Sequence, residues 1–191
     1  MTLTKNLRKV AKQATPEHWK QGKVWYSEAH EFCKALASVS IYTQAQVTGA
    51  LAALSPQTSW SINKRATADL VVKGTCEGYT GYTANVDKAK RILAGESIST
   101  VLCANPRHGA KVRSFFDNIL NPSTSELVTI DTHAIRAAYN IVEVPRQISN
   151  SVFSSSKYHE VSDAYRKIAK EYSMRPCELQ AVLWLTVKDA L

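Results

Sequence analysis

Apolar residues recur at three- and four-residue spacing along almost the whole chain, the period of a helix with one buried face. Thr15, Pro16 and Glu17 read as the N-cap, first-turn proline and acidic first turn of a short helix through Trp19. The segment from Tyr26 to Val39 carries Ala29, Phe32, Cys33, Leu36 and Ala37 on one face. Thr43 to Leu54 follows, small and apolar on most sides, as a central buried helix is. Pro56 ends it, because proline disfavours helical geometry in the residue before it. Ser61 to Lys73 is the next predicted helix, with Gly74 as its C-cap, and another runs from about Ala84 to Leu93, ended by Gly95.

Arg107 to Leu120 has Val112, Phe115, Phe116 and Ile119 on its apolar face. A loop, NPSTSE, precedes an extended VTID and a short helix from Thr132 to Tyr139. Pro145 to Ser156 is polar and serine-rich and reads as a second loop. Tyr158 to Tyr172 and Pro176 to Leu191 are the last two predicted helices. The pattern contains no strand and no internal repeat, so the expectation is a single all-α domain over 1–191.

Composition agrees. A chain of 191 residues that is 45% hydrophobic can build a core without staples. Lys and Arg total 24 against 16 acidic residues, a formal charge of +8 that favours a polyanionic partner, nucleic acid being the commonest. A membrane is not expected: the pattern offers neither an apolar run of about 18 residues nor a basic amphipathic anchor. Cys33, Cys76, Cys103 and Cys177 show no C-x-x-C pair and read as free thiols. The basic N-terminal stretch has no apolar core region, so no signal peptide and a reducing intracellular compartment are expected.

Two residues stand where chemistry is plausible. Asp131 lies where an extended apolar segment turns into a helix, a position at which a carboxylate caps free backbone N–H groups. Lys111 lies near the first turn of its helix, where the dipole disfavours a cation.

The stretch NPRHGAKVRSFF followed by VTIDTHAIR resembles the hairpin and catalytic-aspartate region of the endonuclease III-like, helix-hairpin-helix DNA glycosylases. The family pattern is L-P-G-V-G-x-K, a helix, then V-D-T-H-x-x-R. Pro106, Gly109 and Lys111 match its first part; Asp131, Thr132, His133 and Arg136 match its second. LSPQTSWSINKRAT, GYTANVDKAKRIL and the final HEVSDAYRKIAKEYSMRPCELQAVLWL are similar to further segments of that superfamily in the same order.

The resemblance implies a compact helical fold of two lobes with a degenerate helix-hairpin-helix over about residues 98–120. It implies base excision from double-stranded DNA by a monomer, with the target base flipped out. Asp131 is then the carboxylate that stabilises an oxocarbenium-like state or activates the attacking group. Lys111 is the amine that attacks C1′ and adds lyase activity through a Schiff base. Gln57 corresponds to a gap-filling glutamine, and Tyr79 and Tyr82 are candidate wedges; a hydrogen-bonded cap and two half-buried rim residues are their plainer readings. Gly109, Arg113 and Arg136 join them as DNA contacts.

The sequence departs from the pattern at Arg107, which replaces the first hairpin glycine, and at Asn105 and His108, which replace apolar residues. Arg107 and His108 are expected to meet phosphate with side chains instead. The closely spaced cysteines that hold an iron–sulfur cluster in some relatives are absent, so no metal or other cofactor is expected. Two other readings stay open: an enzyme acting on a hypermodified pyrimidine, like the α-glutamyl/putrescinyl-thymine pyrophosphorylases, and a DNA-binding module of the same fold without catalysis. His133 reads as a packing residue, and Trp25, Trp60 and Trp184 as core.

Overall fold

The computed structural model describes residues 2–105 and 109–190. Among them the regular structure is entirely helical, with no strand. The described residues form eleven helices: α1 (Leu3–Ala11), α2 (Pro16–Ser38), α3 (Gln44–Leu54), α4 (Trp60–Lys73), α5 (Thr83–Leu93), α6 (Ile98–Cys103), α7 (Gly109–Leu120), α8 (Thr132–Tyr139), α9 (Arg146–Val152), α10 (Ser155–Glu171) and α11 (Pro176–Asp189). The chain divides into two units, residues 1–28 with 121–191, and residues 29–120.

In the first unit α1 packs on α8, α10 and α11, and α11 packs on α8 and α10. Leu7, Val10, Ile130, Ile135, Val152, Tyr165, Ile168, Leu179 and Leu183 fill its core. Helix α1 is absent from the sequence-based expectation. Its buried face is Asn6, Leu7, Val10 and Ala11, with Leu3 packed beside it, and Asn6 Nδ2 donates to the Ala138 carbonyl at 2.9 Å.

Helix α2 corrects a second expectation, because it runs unbroken where two shorter helices are predicted. Gly22 sits in the middle of it. A Cβ there would lie 2.4–2.7 Å from the side chain, nitrogen and Cα of Val182, so the glycine permits α2 and α11 to touch backbone to backbone. Packing, rather than chain reversal, accounts for this glycine. Helix α9 is a third correction, since it lies inside the predicted serine-rich loop and buries little beyond Val152. Helix α10 likewise begins at Ser155 rather than Tyr158.

In the second unit α3 packs against α4, α5, α6 and α7, the central position its composition predicts. Every residue from Val47 to Leu54 is buried. A capping box fixes its start: Thr43 Oγ1 accepts from Gln46 N at 3.2 Å, and Gln46 Oε1 accepts from Thr43 N at 3.0 Å. Gln46 Nε2 also donates to the Leu93 carbonyl at 3.1 Å, tying the end of α5 to the start of α3. Gly74, at φ +73°, closes α4 in the left-handed conformation that glycine tolerates.

Candidate active site

In the first unit residues 126–130 belong to no helix and lead directly into α8, with Asp131 extended at its start. Val128 and Ile130 are buried, so their peptide groups need partners within the protein. Tyr158 of α10 supplies two: its hydroxyl donates to the Val128 carbonyl at 2.9 Å and accepts from Ile130 N at 3.2 Å. Tyr165, seven residues further along the same helix and fully buried, donates to the Ala134 carbonyl at 3.0 Å. Tyr26 donates to Gln180 Oε1 at 2.7 Å, and its hydroxyl lies 3.2 Å from Thr129 Oγ1. Three tyrosine hydroxyls thus fix the segment on either side of Asp131.

Asp131 is the N-cap of α8, with Oδ1 accepting from Ala134 N at 2.7 Å. The capping role read from the sequence is therefore present, and the carboxylate is half-buried rather than fully solvated. Tyr165 is held well above the usual phenol range by burial and, secondarily, by the charge of Asp131.

Two further residues of VTIDTHAIR share this corner. His133 is half-buried with its ring edge-on to Trp184, centroids 5.7 Å apart at 76°. Burial lowers its pKa, the Arg136 and Lys188 charges lower it further, and Asp131 opposes them. Arg136 is only 7% exposed; one terminal nitrogen lies 3.4 Å from His133 Nδ1, and Nε has no hydrogen-bond partner among the described residues. Trp184 also receives Lys188 Nζ 4.6 Å from its ring centroid and lies 6.4 Å from Trp25, centroid to centroid, with planes tilted by 54°. Trp25, Trp60 and Trp184 are all half-buried, which corrects the expectation that they are core.

The second unit holds the other candidates. Among the described residues helix α7 covers Gly109–Leu120. Gly109 is buried; a Cβ on it would meet Cys103 Cα at 2.9 Å and the Leu102 and Cys103 carbonyl oxygens at 3.3 Å. Its N–H donates to the Asn105 carbonyl at 2.7 Å. Helices α6 and α7 therefore approach backbone to backbone at Gly109. Lys111 is half-buried in the first turn of α7, and Arg113 is exposed. Pro106, Arg107 and His108 lie outside the described residues.

Gln57 sits on the turn after α3 with φ +58°, a left-handed conformation uncommon for a side chain of this size, and is exposed. The capping role that is its plainer reading belongs instead to Ser59, whose Oγ accepts from Ile62 N. Tyr79 departs from its role as a wedge. Its hydroxyl donates to the Leu54 carbonyl at 2.8 Å and accepts from Asn85 Nδ2 at 3.2 Å, and burial raises its pKa. It holds its loop against the end of α3 and does not project. Tyr82, the N-cap residue of α5, is 58% exposed and remains a candidate contact.

The sequence reading missed Tyr26, Tyr158, Tyr165 and Gln180. Tyr158 and Tyr165 fall on the apolar stripe of α10 with Val161 and Ile168, so their burial is legible in the sequence, but the backbone groups their hydroxyls reach are not.

No described helix is long and apolar enough to cross a membrane, and no cluster of three metal-ligating side chains occurs among the described residues. The protein is an all-helical one with a carboxylate-capped helix at its candidate site. Over residues 1–191 it matches the model described as a family of unknown function (DUF7178), and it belongs to that family. No curated protein and no solved structure matches the chain.

Proposed function

We propose that the protein is a DNA glycosylase-like enzyme that excises a damaged or modified base. Asp131 carries the reading: a half-buried carboxylate fixed at 2.7 Å on the start of α8, on backbone bonded by Tyr158 and Tyr165. Such preorganisation suits stabilisation of charge that develops only during reaction. The C1′–N bond breaks with its electron pair leaving on the base, and Asp131 faces the positive charge that remains on the sugar. Lys111 is then the amine that captures C1′ if strand nicking accompanies release; otherwise water does so.

Three observations support DNA as the substrate. The net charge is +8, the buried guanidinium of Arg136 favours an anion, and Gln57 is displayed on a left-handed turn. The close approach at Gly109 fits a hairpin whose glycine is required by sterics.

A second reading, a DNA-binding module without catalysis, draws on the same carboxylate, because its Oδ1 is engaged in capping. Duplex oligonucleotides carrying a panel of base lesions and modified pyrimidines separate the possibilities. Free base in the supernatant supports excision. A base altered but retained points to pyrimidine modification, and binding with intact DNA to the module.

A further inference from the structure

The first unit carries an open depression of about 410 Å³ where α1 ends, α2 begins and α10 ends. Two aromatic rings shape it. Trp19 and Tyr172 lie with centroids 5.0 Å apart and planes tilted by 32°, and Tyr172 is 37% exposed. Trp19 packs from beneath against the hydrophobic core, so the pair rests on a firm base. Lys12 and Lys23, both exposed, complete the wall, and Met174 adds a polarisable edge. Among the described residues that line the space there is no carboxylate. The nearby Glu171 is neutralised by a two-pronged pair with Arg8 at 2.6 and 2.7 Å.

A backbone turn forms the rim. Ser173 takes a left-handed conformation, φ +52°, and the chain closes on α10 through Met174 N to the Ala169 carbonyl at 3.0 Å. This turn places Tyr172 and Met174 on the same depression.

We propose that this depression binds a nucleotide unit, its planar base stacked on the Trp19–Tyr172 pair and its phosphate neutralised by Lys12 and Lys23. Every nucleobase offers a flat π-face, and stacking on aromatic side chains beside a basic wall is how single strands are held without regard to sequence. The volume lies within the roughly 300–1,000 Å³ common for small-molecule sites. An acidic peptide would satisfy the lysines but leave the aromatic pair without a planar partner. The site needs neither Asp131 nor base release, and so goes beyond the glycosylase reading.

The test uses the full-length protein with three probes: fluorescein-labelled dT12 by anisotropy, and dAMP and a poly-glutamate peptide as competitors. Tyr172→Ser should weaken dT12 binding about tenfold, the scale of one base stack removed, while Tyr172→Phe should restore it. Lys12→Glu with Lys23→Glu should lower the slope of log affinity against log salt by about 0.7, for the one single-strand phosphate left without its lysines. Competition by dAMP that Tyr172→Ser abolishes assigns the site to free nucleotides as well as strands. Binding of dT12 alone, with the same mutational pattern, assigns it to strands. Unchanged dT12 and dAMP binding in both variants overturns the proposal, as does poly-glutamate competing equally well regardless of Tyr172. Lesion-free probes keep this outcome separate from that of the excision assay.

Discussion

Replacing Asp131 with asparagine separates capping from chemistry. The structure shows one hydrogen bond at stake for folding, Oδ1 to Ala134 N at 2.7 Å. Asparagine retains an oxygen acceptor and ranks with aspartate as an N-cap, so the bond survives in neutral form. What disappears is the favourable meeting of a carboxylate with the helix N-terminus, about 0.3–1 kcal/mol. Asp131→Asn should therefore unfold within about 1 kcal/mol of wild type, whereas Asp131→Ala, which removes the cap, should cost about 0.5–2 kcal/mol. Urea denaturation followed by circular dichroism measures both. For catalysis the charge itself is the active ingredient, and removal of one preorganised electrostatic group typically costs about a hundredfold or more in rate. Single-turnover release of base from the best lesion substrate reads that loss directly. Wild-type release by folded Asp131→Asn would refute the mechanism and leave Asp131 a helix cap.

Lys111→Gln should abolish any borohydride-trapped complex with DNA, and a persisting complex would assign the Schiff base to another amine. Gly109→Ala forces a Cβ to within 2.9 Å of Cys103 Cα, a backbone atom that cannot rotate away, and should lower stability by about 1–3 kcal/mol in the same urea assay. Burial lowers the His133 pKa, so between that value and the ordinary one near 6.5 the unfolded chain binds the extra proton. Stability should thus fall as pH drops through that window, and His133→Gln should flatten the dependence; an unchanged slope would show that His133 is not its source. Burial pushes the Cys33 and Cys177 thiols up to about 11, while Cys103 is exposed. A thiol-reactive dye at pH 8 should label Cys103 quickly and reach Cys33 and Cys177 only on unfolding, with mass mapping of the labelled peptides as the check.

Helical periodicity reveals α3, α4, α5, α8 and α11 because each has a long apolar stripe or an unambiguous terminus, such as Gly74 or Pro176. Helix α1 carries the same kind of signal, with Leu3, Leu7, Val10 and Ala11 on one face and Lys5 and Lys9 exposed on the other, so its absence from the expectation is an oversight rather than a missing pattern. The gap between the helices predicted through Trp19 and from Tyr26 fails for a different reason: Gly22, which lies in it, answers to Val182, 160 positions away, and no local rule encodes that contact. Helix α9 has too few buried residues to leave a pattern. At the candidate site the Asp131 cap is legible because capping is local. The tyrosine clasps are not, since Tyr158 and Val128 are 30 residues apart and a hydroxyl's partner is set by tertiary packing. Tyr79 shows the converse, a residue whose sequence context suggests display and whose hydroxyl is tethered to Leu54.

The first unit is discontinuous, with residues 1–28 and 121–191 separated in the chain by the second unit. During synthesis α1 must wait for the last two helices before Leu7 and Val10 can meet Ile168 and Leu183. If residues 29–120 were a structureless tether, closing it would disfavour the first unit by about 4 kcal/mol, from the length dependence of loop entropy. A folded insert holds its own ends at a fixed separation and removes much of that penalty. Proteolytic nicking inside it, followed by release of the fragments, would place Leu7 and Val10 on one piece and Ile168 and Leu183 on the other.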